Sequence, residues 1–371
     1  MIPVVIFAAG VVIVLAPAAW LVRTLALRVV GVQRRRKVIT VRRVGEDLEL
    51  PQTVLTSAAG NYGLWFGDNF RQHALVGPVV RSDGERVVRR LLEATAPVPT
   101  EPFLGQWTGH VMHSPAQVDS GFEDVRVPLR DRASAPAWLF RGEADRPWVI
   151  HVQGIRTSRL VTLRSVEVAH RAGLTSLAIT YRGSGDGPEA TVSSLGQREW
   201  SDLADAVSYA RSQGAQQVCV VAWSMGAGIA LELLRRDSQA FERLVLIAPA
   251  TDWRGIIRHG VEHARLPGFL GPIVTWALGS RVASRILGLP EPLDFDLLVW
   301  KLAESVSIPT LVVHSEGDQE IPFELTKAFA AAHPNVTIVE TAAAPHGWEA
   351  NVDPQRFRPA LESWLLPPDG E

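Results

Sequence analysis

The sequence predicts an α/β protein built on a mostly parallel sheet covered on both faces. Three observations lead there. From Phe122 onward, short apolar runs alternate with helix-patterned segments. Several of those runs are apolar without interruption, as strands buried on both faces are. One of them, Gln217–Ala222, turns directly into a helix at Ala227–Arg236.

The elements follow in chain order. Ile2–Val22 is an uncharged run of 21 residues. As a helix it is about 31 Å long, close to the hydrocarbon thickness of a bilayer. Trp20 suits an interfacial anchor, and Pro17 bends such a helix without forbidding it. The run therefore predicts a single transmembrane helix. The weaker readings are a cleaved signal peptide, which lacks a positive leading region, and a buried core helix. Arg23, Arg28, Arg34, Arg35, Arg36 and Lys37 follow the run, and positive flanks stay on the cytoplasmic side. A single-pass cell-membrane protein with its body in the cytoplasm is expected, with residues 1–37 as anchor and basic flank.

Residues 38–120 predict a small β-rich module whose role is not legible. Val38–Arg43, Thr53–Ser57, Tyr62–Phe66 and Gly109–His113 read as β-like runs, Val87–Ala94 as a short helix, and Ala96–Pro102 as a connector. Residues 121–369 form the α/β domain. Val125, Val127 and Leu129 alternate with polar residues, and Ala137–Phe140 pairs with them as a hairpin. Strands are expected at Trp148–Val152, Ser176–Thr180, Gln217–Ala222, Leu244–Ile247, Ile308–Val313 and Val336–Val339. Helices are expected at Ser158–Arg171, Arg198–Ser212, Ala227–Arg236, Phe323–Ala332 and Gln355–Leu365. Residues 251–305 interrupt the alternation and read as a helical lid inserted between two strands.

Composition narrows the function. The 371 residues carry 37 basic and 39 acidic side chains. This balance argues against nucleic acid as the main partner. Eight basic residues precede residue 44 and no acidic one precedes Glu46, so the body is acidic and the flank basic. Cys219 is the lone cysteine, which excludes an intrachain disulfide framework and a cysteine-cluster zinc site.

The most informative stretch is Ala222-Trp223-Ser224-Met225-Gly226. A serine between a buried strand and a helix sits on a sharp bend with its Oγ exposed. Small residues are needed two positions away on either side, and Ala222 and Gly226 supply them. The N–H of Met225 lies at a helix N-terminus, where it can stabilise an oxyanion.

With this turn the chain resembles the α/β-hydrolase superfamily over about residues 121–369. Four further motifs carry the resemblance. His151-Val152-Gln153-Gly154-Ile155 looks like the family's oxyanion loop, which implies the Ile155 N–H as a second donor. His151 itself reads as a buried strand histidine. Tyr181-Arg182-Gly183-Ser184-Gly185-Asp186-Gly187 resembles a structural loop after the fourth strand, and no lysine supports a phosphate-binding reading. Gly317-Asp318-Gln319-Glu320-Ile321-Pro322 resembles the triad-acid loop, which implies Asp318, with Asp252 as the fallback. Pro345-His346-Gly347-Trp348 falls where the family keeps its base, which implies His346. His73, His110, His113, His170 and His333 read as surface or core residues.

The resemblance implies a serine hydrolase acting on a carboxylic ester through Ser224, His346 and Asp318, with no cofactor and no metal. Peptidase, thioesterase and perhydrolase chemistry stay open, as does a non-catalytic membrane-anchored module of the same fold. His259-Gly260-Val261-Glu262-His263 matches a zinc-peptidase pattern literally, but Gly260 weakens the helix it needs. The apolar lid and the anchor together suggest a hydrophobic small-molecule acyl substrate.

Overall fold

The computed structural model describes residues 17–33, 37–302 and 306–366. It begins with a helix over 17–30, α1. A closed barrel follows: β1 (Val38–Val44), β2 (Asp47–Pro51), the short helix α2 (Val54–Ser57), β3 (Tyr62–Phe66), β4 (Gln72–Ser82), β5 (Arg86–Ala94) and β6 (Phe103–Thr108). Its strand order is β1-β2-β5-β4-β3-β6, and β6 closes on β1 with Val38 opposite Gln106. Closure leaves no free sheet edge. The interior is filled by Val41, Leu48, Leu50, Tyr62, Leu64, Phe66, Val76 and Trp107.

Three expectations for this region are corrected. Val87–Ala94 is strand β5, not a helix. The doublets Val87-Val88 and Leu91-Leu92 mimic helical spacing, and a charge occupies the inward position between Val87 and Leu91. That residue, Arg89, is wholly buried. Its guanidinium donates to the carbonyls of Gly77, Thr56, Ala58 and Gly60 and lies 4.9 Å from the Tyr62 ring. Residues 54–57 of the expected run Thr53–Ser57 are helical. Thr53 caps the turn by accepting from the Thr56 N–H, while the Thr56 hydroxyl accepts from the Thr53 N–H. Gly109–His113 is a loop following β6.

The second sheet has eight strands in the order β14-β13-β12-β11-β9-β10-β8-β7. They are β7 (Glu123–Pro128), β8 (Ser134–Phe140), β9 (Trp148–Val152), β10 (Thr175–Ile179), β11 (Val218–Trp223), β12 (Arg243–Ile247), β13 (Thr310–His314) and β14 (Val336–Glu340). The six strands from β9 to β14 run parallel, and β8 is antiparallel to β7 and β10. The helices are α3 (Leu163–Arg171), α4 (Trp200–Ser212), α5 (Met225–Arg236), α6 (Trp253–His263), α7 (Leu270–Gly279), α8 (Arg281–Ile286), α9 (Phe323–Ala332), α10 (Glu349–Val352) and α11 (Pro354–Leu365).

Alternation along β11 shows why both faces are covered. Val218, Val220 and Ala222 join one core with α4, α5 and α7. Cys219, Val221 and Trp223 join another with α3 and α11. Helices α6 to α8 form the insertion expected between β12 and β13. Trp253, Ile257, Leu270, Val274 and Leu278 pack it onto the domain, while Phe269 and Trp276 stay exposed.

The predicted membrane span is not seen as such. Residues 2–16 lie outside the described residues, and among those described no helix is long and apolar enough to cross a membrane. Helix α1 runs past Val22 into the basic flank and packs on the α/β domain. Leu25, Ala26 and Val30 are buried there. Arg156 donates to the carbonyls of Gly31 (2.7 Å), Val29 (3.0 Å) and Arg28.

Candidate active site

Ser224 stands between β11 and α5 with φ 52° and ψ −118°. A non-glycine residue at positive φ costs of order 1–3 kcal/mol and persists only where the surroundings hold it. Here the Ser224 N–H donates to the Ile247 carbonyl at 2.8 Å, and the Ser224 carbonyl accepts from the Ala250 N–H at 3.1 Å. Space is tight on both sides. A Cβ on Gly226 would meet the Val152 carbonyl oxygen at 2.8 Å, and one on Gly154 would meet the Ser224 Cβ at 2.9 Å. The turn therefore fixes the serine and leaves its Oγ outward.

The loops after β13 and β14 bring two partners to it. His346 Nε2 lies 2.8 Å from Ser224 Oγ, and His346 Nδ1 lies 2.6 Å from Asp318 Oδ2. A carboxylate only accepts, so Nδ1 carries the proton and Nε2 is free to accept from the serine hydroxyl. Asp318 is itself held from several sides. His314 Nε2 donates to Oδ2 at 2.9 Å, and the N–H groups of Glu320 and Ile321 donate to Oδ1 at 2.8 and 2.9 Å. His314 Nδ1 meets the Thr326 hydroxyl at 2.8 Å, which fixes the ring.

The electrostatics follow from burial and these contacts. Burial alone raises the Asp318 pKa, but His346 and His314 override it and hold the carboxyl well below the ordinary range. Burial alone lowers the His346 pKa, but the adjacent Asp318 carboxylate reverses the sign and raises it. Glu349, at the start of α10, is wholly buried and neither side-chain oxygen has a hydrogen-bond partner. Burial and the Asp318 charge push its pKa up to about 8.

The two expected oxyanion donors flank the serine. Met225 opens α5, so its N–H has no acceptor within the helix. Ile155 lines the same cavity as Ser224. Its loop is braced by the Tyr181 hydroxyl, which donates to the Gly154 carbonyl at 2.8 Å, and by Gln153 Nε2, which donates to Ser184 at 2.9 Å. The glycine-rich loop after β10 thus supports the site from behind. Arg182 of that loop makes a bidentate pair with Asp202.

The cavity at Ser224 has a volume of about 230 Å³. The barrel supplies one wall through Gln106 and Thr108, and the loop after β6 adds Gly109 and His110. The α/β domain supplies the rest, Ile155, Arg156, Val161, Arg164, Trp223 and Trp348 among them. Among the described residues, none of the lid lines it. Trp348 also reaches the barrel, with its ring 4.7 Å from that of Tyr62. Asn351 Nδ2 donates to the carbonyls of Asn61 (2.7 Å) and Gly109 (3.1 Å). The barrel therefore clamps the segment that carries His346.

Family comparison agrees with this architecture. Residues 161–360 match a model described as the alpha/beta hydrolase family. The chain belongs to the α/β-hydrolase family. Within the barrel, residues 40–108 match a domain of unknown function. An esterase from Pyrococcus furiosus superposes on the chain with a TM-score of 0.53 at 19% identity, covering 69% of this chain and 97% of its own. A protein from Agrobacterium vitis named as a hydrolase gives a TM-score of 0.50 at 19% identity, covering 66% and 98%. At that identity the likeness is one of fold. No curated protein matches the sequence.

The remaining candidates occupy other places in the hydrolase. Asp252 caps α6 by accepting from the Gly255 N–H and pairs with Lys301 at 2.9 Å. His259 and His263 lie on α6 with ring centroids 5.9 Å apart, and His259 Nε2 contacts the Gln319 carbonyl. His151 is wholly buried between the Ser165 and Ser176 hydroxyls, and burial lowers its pKa to about 3. His110, read from the sequence as a surface or core residue, lines the cavity at Ser224. Sequence reasoning also missed His314 and Glu349. The one available signal was spacing: His314 sits four residues before Asp318 at a strand end, and Glu349 sits three after His346.

Proposed function

We propose that the protein is a membrane-anchored serine hydrolase that cleaves a carboxylic ester through an acyl-enzyme intermediate. The observation that carries this reading is the hydrogen-bonded line from Ser224 Oγ through His346 to Asp318, ending on a strained turn. In the mechanism, His346 Nε2 takes the Ser224 proton as Oγ attacks the acyl carbonyl. Asp318 keeps the imidazole in the Nδ1–H tautomer and stabilises the imidazolium. The N–H groups of Met225 and Ile155 receive the developing oxyanion, each worth about 2.7–4 kcal/mol by analogy with measured donors. His346 then returns the proton to the leaving alcohol. Water, deprotonated by the same imidazole, releases the acid and restores Ser224.

The fold likeness to an esterase favours ester over other acyl bonds. Anchoring rests on the apolar run Ile2–Val22, and a cytoplasmic body rests on the basic residues that follow it. The test of the chemistry is labelling by a fluorophosphonate probe. The parent protein is expected to label and Ser224→Ala to lose the label and ester turnover together. Equal labelling of the variant would remove Ser224 from its role.

A further inference from the structure

Arg164, on α3, lines the cavity at Ser224 and is 5% exposed. Its guanidinium sits 4.4 Å from the Trp223 ring centre. Nε donates to the Val161 carbonyl at 3.2 Å. Nη1 donates to the Gly347 carbonyl at 2.9 Å and to Asn351 Oδ1. Nη2 is buried with no acceptor. Every one of these acceptors is neutral, and among the described residues no carboxylate stands at ion-pair distance from Arg164. Glu349 is the carboxyl whose field reaches it, and burial and the Asp318 charge push the Glu349 pKa up, against its charged form.

A buried cation without an anionic partner is costly, and an anion entering the site offsets that cost. The cavity is suited to one. No Asp or Glu lines it, Arg156 is among its lining residues, and Gln106, Thr108 and Thr157 add polar groups. Its volume of about 230 Å³ is below the range of roughly 300–1,000 Å³ common for drug-sized ligands. A small acyl or alcohol group fits this volume, and no described lid residue reaches the cavity to extend it for the long hydrophobic chain expected from the lid.

We propose that the substrate is a small ester bearing a carboxylate, and that Arg164 is the residue that selects it. The proposal rests on the ester-hydrolase reading for its chemistry but not for its binding test. That test uses the full chain carrying Ser224→Ala, with calorimetric binding of succinate compared with neutral succinamide. Succinate is expected to bind at least about tenfold more tightly, and adding Arg164→Gln is expected to abolish the preference. If Arg164→Gln does not fold, protection of Ser224 in the parent protein decides: succinate, and not succinamide, should slow fluorophosphonate labelling. Equal binding of the two ligands, a preference that survives Arg164→Gln, or equal protection would overturn the proposal.

Turnover then locates the charge. A mono-ester of succinate against a pentanoate ester tests the acyl side, and O-acetylglycolate against propyl acetate tests the alcohol side. Preference for the charged member of one pair supports the proposal and assigns the side, and preference for both neutral members contradicts it. Selective succinate binding without turnover of any ester would sink the ester-hydrolase reading and leave the anion site standing.

Discussion

At the scale of single residues, turnover depends on proton positions set by Asp318. The carboxylate raises the His346 pKa, and a general base must be neutral to act. The kcat/KM of the parent protein is therefore expected to fall, as pH is lowered, through a pKa above the ordinary imidazole value of about 6.5. In Asp318→Asn the raising charge is gone, so that limb should move to lower pH. The Nδ1–H tautomer also loses its acceptor, and kcat should drop by about 10⁴. An unchanged pH profile in the variant would show that Asp318 does not couple to His346. Ser224 and His346 were legible in the sequence because a strand–serine–helix turn and a terminal histidine loop are local patterns. His314 and Arg164 were not. Their importance comes from which groups face them across the fold, and a single sequence does not show that.

At the scale of elements, the order of strands and helices in the α/β domain was legible outside the lid, while that of the barrel was not. Strands such as Trp148–Val152 are buried on both faces and stay apolar throughout, so their pattern survives without tertiary knowledge. Barrel strand β5 places Arg89 inside, satisfied by four backbone carbonyls from β4, α2 and the loop after α2, which breaks the alternation that marks a strand. The junction between barrel and hydrolase was equally hidden. Trp348 follows His346 by two residues and packs against the barrel core, where Gly109 leaves room for its indole. Trp348→Ala is expected to destabilise the protein by about 2–3 kcal/mol and to slow turnover by loosening the His346 loop. Thermal melting and steady-state kinetics check this together. Full activity with an unchanged melting temperature would mean the barrel does not hold the loop.

At the scale of the whole molecule, the barrel and the α/β domain meet around one site, and α1 braces Arg156 beside it. Helix α1 and the strand-like contact of Gly31 with Val192 tie the basic flank to the hydrolase near the loop after β10. A chain starting at residue 32 is therefore expected to melt at lower temperature than one starting at residue 17, because it loses Leu25, Ala26, Val30 and the acceptors of Arg156. Both truncations are expected to leave the membrane fraction, while the full chain stays in it. Protease added to the outer face of vesicles should leave the full-length body intact, and its digestion from that face would reverse the proposed orientation. Membrane retention of the chain starting at residue 17 would place the anchor elsewhere.

If Ser224 carries the acyl group, the mass of a trapped intermediate reveals it. Rapid mixing of the full chain with a mono-p-nitrophenyl ester of succinate, quenching in acid and peptide mass analysis is expected to find one succinyl adduct, on Ser224. Steady release of p-nitrophenol with no adduct at Ser224, or with the adduct on another residue, would contradict the account.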